Sequence, residues 1–135
     1  MSDTRNAPNP DMLRSPLSRA RGLGSARAGS THWWAQRMTA MALVPLTLWF
    51  IFSALRGLIG ASREEIVVWL SAPVPLVLML ALILATFHHL HLGLQVVIED
   101  YVHDHARKLA AVLVMKAACV LLALACAVSV LRLGL

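Results

Sequence analysis

The sequence predicts an all-α integral membrane protein with three transmembrane helices, and three observations carry that reading. Of its 135 residues 59% are hydrophobic, with a mean hydropathy of +0.70, against roughly 45–50% apolar residues in soluble domains. The apolar residues gather into long runs of the length a bilayer demands. The charged residues stand mostly outside those runs. The net charge of +5 comes largely from Arg5, Arg14, Arg19, Arg21, Arg27 and Arg37, all ahead of the first run. Charge so placed is an orientation signal, not a nucleic-acid-binding face. A chain of this length forms one domain at most, divided here into a polar basic tail over residues 1–29 and a membrane domain over 30–135.

The tail does not read as a cleaved signal peptide, because polar, Pro- and Arg-containing residues precede an apolar run that is long enough to span. Asp3 and Asp11 argue against an amphipathic organelle-targeting peptide. Its Pro, Asn, Ser and Arg content predicts little fixed structure over residues 1–20.

The first span is read at 38–55, "MTAMALVPLTLWFIFSAL". Ser30 or Thr31 is a candidate N-cap for its helix, Trp33 and Trp34 suit the interface, and Pro45 is a candidate kink. The connection over 56–72 carries Arg56, Arg63, Glu64 and Glu65, with "EEIVVWL" suited to the interface. Pro73 and Pro75 suit the first turn of a second helix, its span read at 74–98. The third span is read at 108–131, with Lys116 about two turns inside, where it snorkels or meets a partner subunit. Cys119 and Cys126 share a face of this helix about 10 Å apart along its axis, too far for a disulfide.

Eight Lys and Arg lie on the side of the N-terminus and the 99–108 connection, against Arg56, Arg63 and Arg132 on the other. The positive-inside rule therefore places the N-terminus and the 99–108 connection in the cytoplasm.

Five of the six histidines fall within residues 87–105, "FHHLHLGLQVVIEDYVHDH". Ionisable side chains inside a span are functional candidates by default. At about 100° per residue, His88, His91 and Gln95 share one face, while His89 points about 160° away from His91. The face of His89 continues through Gly93, Val96 and Asp100. Three readings stay open on spacing alone. The histidines are satisfied packing residues; or His89 is an axial ligand of haem iron, with Gly93 leaving room for a flat macrocycle; or His88 and His91 hold zinc or copper, although no further Cys or carboxylate at that depth completes the set. Asp100 and Tyr101 fall where the helix leaves the membrane. A phenol beside a carboxylate there can hydrogen-bond a quinone carbonyl and deliver protons to it, or be an ordinary interfacial pair. The two ends of this face, His89 and Asp100, lie about 16 Å apart. His103, Asp104 and His105 read as solvated loop residues, with proton supply or contact to a soluble partner as the alternative.

"HxHxGLQVVIEDYVH" resembles the second transmembrane helix of the succinate dehydrogenase hydrophobic membrane anchor, the D subunit of complex II. The family signature is a histidine four residues before a glycine, followed by Asp-Tyr seven and eight residues after that glycine. These are His89, Gly93, Asp100 and Tyr101 here. "GLGSARAGSTHWWAQRMTAMALVPL" is similar to the start of the alphaproteobacterial version, with an arginine just before the span. The likeness covers roughly residues 20–133.

The resemblance implies a bundle in which this chain shares a haem b with a partner cytochrome b556-type subunit. His89 would be one axial ligand of the haem iron, the partner supplying the other. Arg37, assisted by His32, would stand near the haem propionates. Tyr101 would hydrogen-bond ubiquinone, with Asp100 beside it. FAD and the iron–sulfur clusters would belong to the flavoprotein and iron–sulfur partner subunits, since this chain shows no flavin fingerprint, cysteine cluster or dicarboxylate site. The chain alone would be non-catalytic, a subunit of succinate dehydrogenase (quinone) in the bacterial inner membrane, bound to membrane lipid and to no nucleic acid. Two rivals remain: the anchor of a related quinone oxidoreductase such as fumarate reductase, and a haem-free structural or metal-handling protein using "HHLH".

Overall fold

A computed structural model describes residues 25–135, with side chains from Gly29 onward. Of the tail expected over residues 1–29, residues 1–24, with Arg5, Arg14, Arg19 and Arg21, lie outside the described residues. The chain divides into two compact units, Met1–Trp33 and Trp34–Leu135, and the packing below belongs to the second. Four α-helices follow one another: α1 Ser25–Ser53, running into a π-helical turn at Ala54–Leu58; α2 Arg63–Ser71; α3 Pro73–Tyr101; and α4 His105–Gly134. No strand occurs among the described residues.

Three segments are long and apolar enough to cross a membrane: Gly29–Leu58, Pro73–Tyr101 and His105–Gly134. A 30-residue helix is about 45 Å long, against about 30 Å of hydrocarbon. The helices therefore outrun the apolar windows at both ends, and hydropathy marks only their hydrocarbon part. One expectation is corrected by this. Ser30 and Thr31 lie inside α1, more than a turn past its first residue Ser25, so neither is its N-cap. The helix also continues through Pro45.

Gly60, at φ +81, turns the chain after the π-helical turn, a conformation that favours glycine. Ser62 then starts α2 with a reciprocal cap: its Oγ accepts from Glu65 N at 3.3 Å, while its own N–H donates to Glu65 Oε2 at 2.7 Å. Two otherwise orphaned N–H groups are satisfied this way. Trp69 of α2 stacks on Trp49 of α1 with ring centroids 5.9 Å apart. A single residue, Ala72, separates α2 from α3, and the prolines at the start of α3 cost nothing because that N–H has no intrahelical acceptor. The end of α4 comes down on this junction. A Cβ on Gly134 would stand 2.9 Å from Leu76 Cδ1 and 3.1 Å from the Leu70 carbonyl oxygen, so a larger residue there would require the Leu76 side chain to turn and the Leu70 carbonyl to give way.

Helices α3 and α4 form the tightest pair. Asp104 caps α4 by accepting from Arg107 N at 2.8 Å. Lys108 Nζ donates to the Glu99 carbonyl at 3.0 Å, tying the first turn of α4 to the last of α3. Asp104 is thus a helix cap and not simply a solvated loop residue, while His103 and His105 beside it are exposed. Cys119 and Cys126 are both free thiols.

Lys116 lies eleven residues into α4, three turns deep instead of two. It lines a groove of about 340 Å³ between α3 and α4 with Phe87, His88, His91 and Cys119. Only Leu70, Leu92 and Cys119 are buried among the described hydrophobic residues. Three helices of this size cannot cover one another, and their apolar faces are turned outward.

Two outcomes are expected. The Ser62 N–H and then the Ser62 hydroxyl hold the Glu65 carboxyl below its ordinary value of 4.5. A depressed folded-state value makes the cap's contribution present above the ordinary value and lost as pH falls through the depressed one. Ser62→Ala, which removes the hydroxyl acceptor and keeps the backbone N–H bond to the carboxylate, should speed hydrogen exchange of the Glu65 amide roughly three- to tenfold at neutral pH. Equal exchange at neutral pH would remove the cap from the account. Lys116→Leu should ease membrane insertion of α4 by about 2 kcal/mol in a translocation assay, and an unchanged insertion efficiency would mean that the ammonium is not at hydrocarbon depth.

Candidate functional site

Helix α3 carries chemistry on two opposed edges and at its end. One edge faces α1. His89 Nδ1 lies 3.0 Å from Thr39 Oγ1, and the hydroxyl is itself 2.9 Å from the Ala35 carbonyl oxygen and 3.0 Å from that of Gln36. One turn further along, Gly93 faces the same helix. A Cβ there would meet only Gln36 Nε2, at 4.0 Å. His89 is half-buried, and its Nε2 has no partner among the described residues.

The other edge faces α4. His88 and His91 have ring centroids 5.1 Å apart, tilted by 54°. His91 Nδ1 lies 2.9 Å from the His88 carbonyl oxygen, so that nitrogen donates. Their groove is the one shared with Lys116. The three histidines are thereby divided between two edges, as the helical spacing requires. Among the described residues no group of three His, Cys, Asp or Glu stands ready to hold a metal ion. Two histidines beside an ammonium make a poor zinc or copper site, since such sites want three or four protein donors and no competing cation.

At the end of α3, Glu99 is taken up internally: its carboxylate accepts from Gln95 Nε2 at 2.7 Å and its carbonyl from Lys108. Asp100 and Tyr101 are not. Tyr101 is 79% exposed, Asp100 is exposed as well, and neither side chain hydrogen-bonds another described residue. A phenol donor and a carboxylate acceptor thus stand together, three helical turns from His89 and open to a ligand or neighbouring subunit.

Arg37 is exposed and lies two residues before Thr39 on α1. His32 belongs to the first unit and Arg37 to the second, so each stands by itself. His32 Nε2 is buried without a hydrogen-bond partner. An orphaned buried nitrogen is costly and commonly marks a missing partner.

Sequence reasoning singled out His89, Gly93, Asp100 and Tyr101 and missed Thr39 and Gln36. No spacing rule pairs residues fifty positions apart. The faint signal for Thr39 was a hydroxyl inside an apolar run.

Residues 12–123 match the model of the succinate dehydrogenase/fumarate reductase transmembrane subunit family. Over 91 residues the chain is 38% identical to the succinate dehydrogenase hydrophobic membrane anchor subunit of Rickettsia bellii, a stretch covering 67% of this chain and 71% of that one. It is 34% identical over 95 residues to the protein of the same name from Paracoccus denitrificans, covering 70% and 73%. With that of Rickettsia conorii it shares 29% over 109 residues, covering 80% and 86%. No solved structure matches the chain.

Proposed function

Because the chain belongs to the succinate dehydrogenase/fumarate reductase transmembrane subunit family, we propose that it is the anchor of a succinate:ubiquinone oxidoreductase which holds one axial position of a haem b and part of a ubiquinone site. The multi-pass membrane anchor is the family's common ground. The haem and quinone assignments are the proposal.

One observation carries the haem assignment. Of the three histidines at membrane depth, His89 alone points to α1, with Nδ1 engaged by Thr39 and Nε2 free of described partners. Axial histidines commonly bind iron through one nitrogen while the other is held by a protein group. The donor set fits a haem in two further respects. Gly93 puts no side chain beside His89 on that edge, and Arg37, two residues before Thr39 on α1, carries a guanidinium of the kind that pairs with a propionate carboxylate. When bound, the haem supplies a one-electron centre in the membrane. His89 would hold it, and the Arg37 guanidinium would neutralise a carboxylate of its edge.

For the quinone, Tyr101 donates its phenolic hydrogen to a carbonyl oxygen of the ring and so fixes the headgroup. Asp100, beside it and in reach of water, passes on the protons that reduction of a quinone consumes. The outward apolar faces need cover, which a cytochrome b556-type subunit would provide together with a further ligand to the haem. The 99–108 connection faces the iron–sulfur and flavoprotein subunits on the cytoplasmic side of a bacterial inner membrane.

Two experiments test this. In membranes carrying the complex, His89→Ala should abolish or clearly alter the b-type band of the reduced-minus-oxidised spectrum, while His88→Ala and His91→Ala keep it. A normal band in His89→Ala would pass the ligand role to another residue. Tyr101→Phe should slow ubiquinone reduction roughly tenfold, as loss of one hydrogen bond of about 1.4 kcal/mol would, and leave succinate oxidation by an artificial acceptor intact. Unchanged quinone reduction would remove Tyr101 from the site.

A further inference from the structure

We infer that Thr39 is the positioning residue of His89: its hydroxyl oxygen accepts the Nδ1 proton of the imidazole, fixing the tautomer and the ring so that the Nε2 lone pair is the one presented to iron. This rests on the reading of His89 as an axial ligand.

The inference follows from counting protons. A threonine hydroxyl has one hydrogen to give and two lone pairs. Thr39 Oγ1 sits 2.9 Å from the Ala35 carbonyl oxygen and 3.0 Å from that of Gln36. Carbonyl oxygens only accept, and an oxygen held that close without a hydrogen between would be repelled. The hydroxyl hydrogen therefore points back into the turn of α1, shared between the two carbonyls, as threonines within helices commonly arrange it. What remains toward His89, 3.0 Å away, is a lone pair. A lone pair can meet Nδ1 only if Nδ1 carries the proton. In neutral imidazole the other nitrogen, Nε2, is then the acceptor, which is the form that ligates a metal. No bulk water reaches that depth to offer either group an alternative.

Two consequences follow. The bond anchors the ring to α1 as well as α3, so the imidazole cannot rotate its plane freely about the Cβ–Cγ bond. Donation from Nδ1–H to an oxygen also makes the ring a more basic ligand, which favours the ferric state. Removing the acceptor should raise the haem midpoint potential and loosen the haem.

The test uses the assembled complex in membranes, with redox titration of the b-type band and the haem-to-protein ratio as readouts. Thr39→Val, which keeps shape and removes the acceptor, should shift the midpoint potential positive and weaken haem retention roughly tenfold or more. Thr39→Ser, which restores a hydroxyl, should titrate like wild type. Thr39→Cys, a weaker acceptor, should fall between the two. A wild-type potential in Thr39→Val overturns the inference. If Thr39→Val fails to assemble, equal potentials in Thr39→Ser and Thr39→Cys overturn it instead. His89→Ala measured in the same membranes separates the two levels. Loss of its band together with an unshifted Thr39→Val removes the positioning role and leaves the ligand, whereas a retained band removes the ligand and the positioning role with it.

Discussion

A polar side chain in hydrocarbon has no water to turn to, and the arrangement of this chain follows from how it meets that constraint. The Thr39–His89 bond is the case on which most else depends. It joins α1 to α3, uses a hydroxyl already committed to its own helix backbone, and leaves one imidazole nitrogen without a described partner. The same constraint disposes of the other two histidines differently. His91 turns one nitrogen back to the carbonyl of His88, and both rings lie along the α4 edge beside Lys116. Three imidazoles within four residues thus meet two different environments, and the difference comes from helical rotation alone.

Energetically the chain is incomplete. Burying apolar side chains contributes about 25 cal/mol per Å², yet among the described residues only Leu70, Leu92 and Cys119 are buried. Lipid covers outward leucines and valines at no cost, so packing between these helices has to come from small residues and polar contacts. Gly134, against the Leu70 carbonyl, is of that kind, and the Trp49–Trp69 stack adds an aromatic contact. Lipid does not serve equally well for Lys116, His88 or the orphaned His32 nitrogen. Those groups are what a partner subunit in the membrane would have to satisfy.

The three spans were legible because hydropathy over 18 or more residues has few rival explanations. Their ends were not, since polar residues at the interface stay helical where apolar runs stop: Ser25 to Arg37 continue α1 well outside the window that begins at Met38. The composition of α2 marks it as an interfacial segment, and the spacing of Ser62 and Glu65 is that of a reciprocal cap. Asp104 has the sequence surroundings of a loop acid, yet it caps the start of α4. At the candidate site, rotation at about 100° per residue was enough to separate His89 from His88 and His91, because one continuous helix carries all three. Thr39 was out of reach for the opposite reason. Its pairing depends on how α1 settles against α3, which no local pattern encodes.

That continuity of α3 also governs what the proposed function can be. His89 and Asp100 belong to one uninterrupted helix, so their separation of about 16 Å and their shared azimuth, within about 20°, are backbone properties that side-chain motion cannot alter. Tyr101, one residue on, is turned about 100° from Asp100 and stands clear of the helix, 79% exposed. A ligand gripped by the phenol therefore sits to one side of the line from His89, with the carboxylate between it and that line. In the proposed anchor this geometry makes the acid the nearer of the pair to the face that holds the haem and leaves the phenol facing the neighbouring subunit. The histidine is half-buried and tied to α1 by Thr39, whereas the phenol position is open and would be completed from outside the chain. In the proposed function such an anchor would supply one ligand to a haem shared with a partner subunit, and its quinone site would be completed by whatever docks against the end of α3.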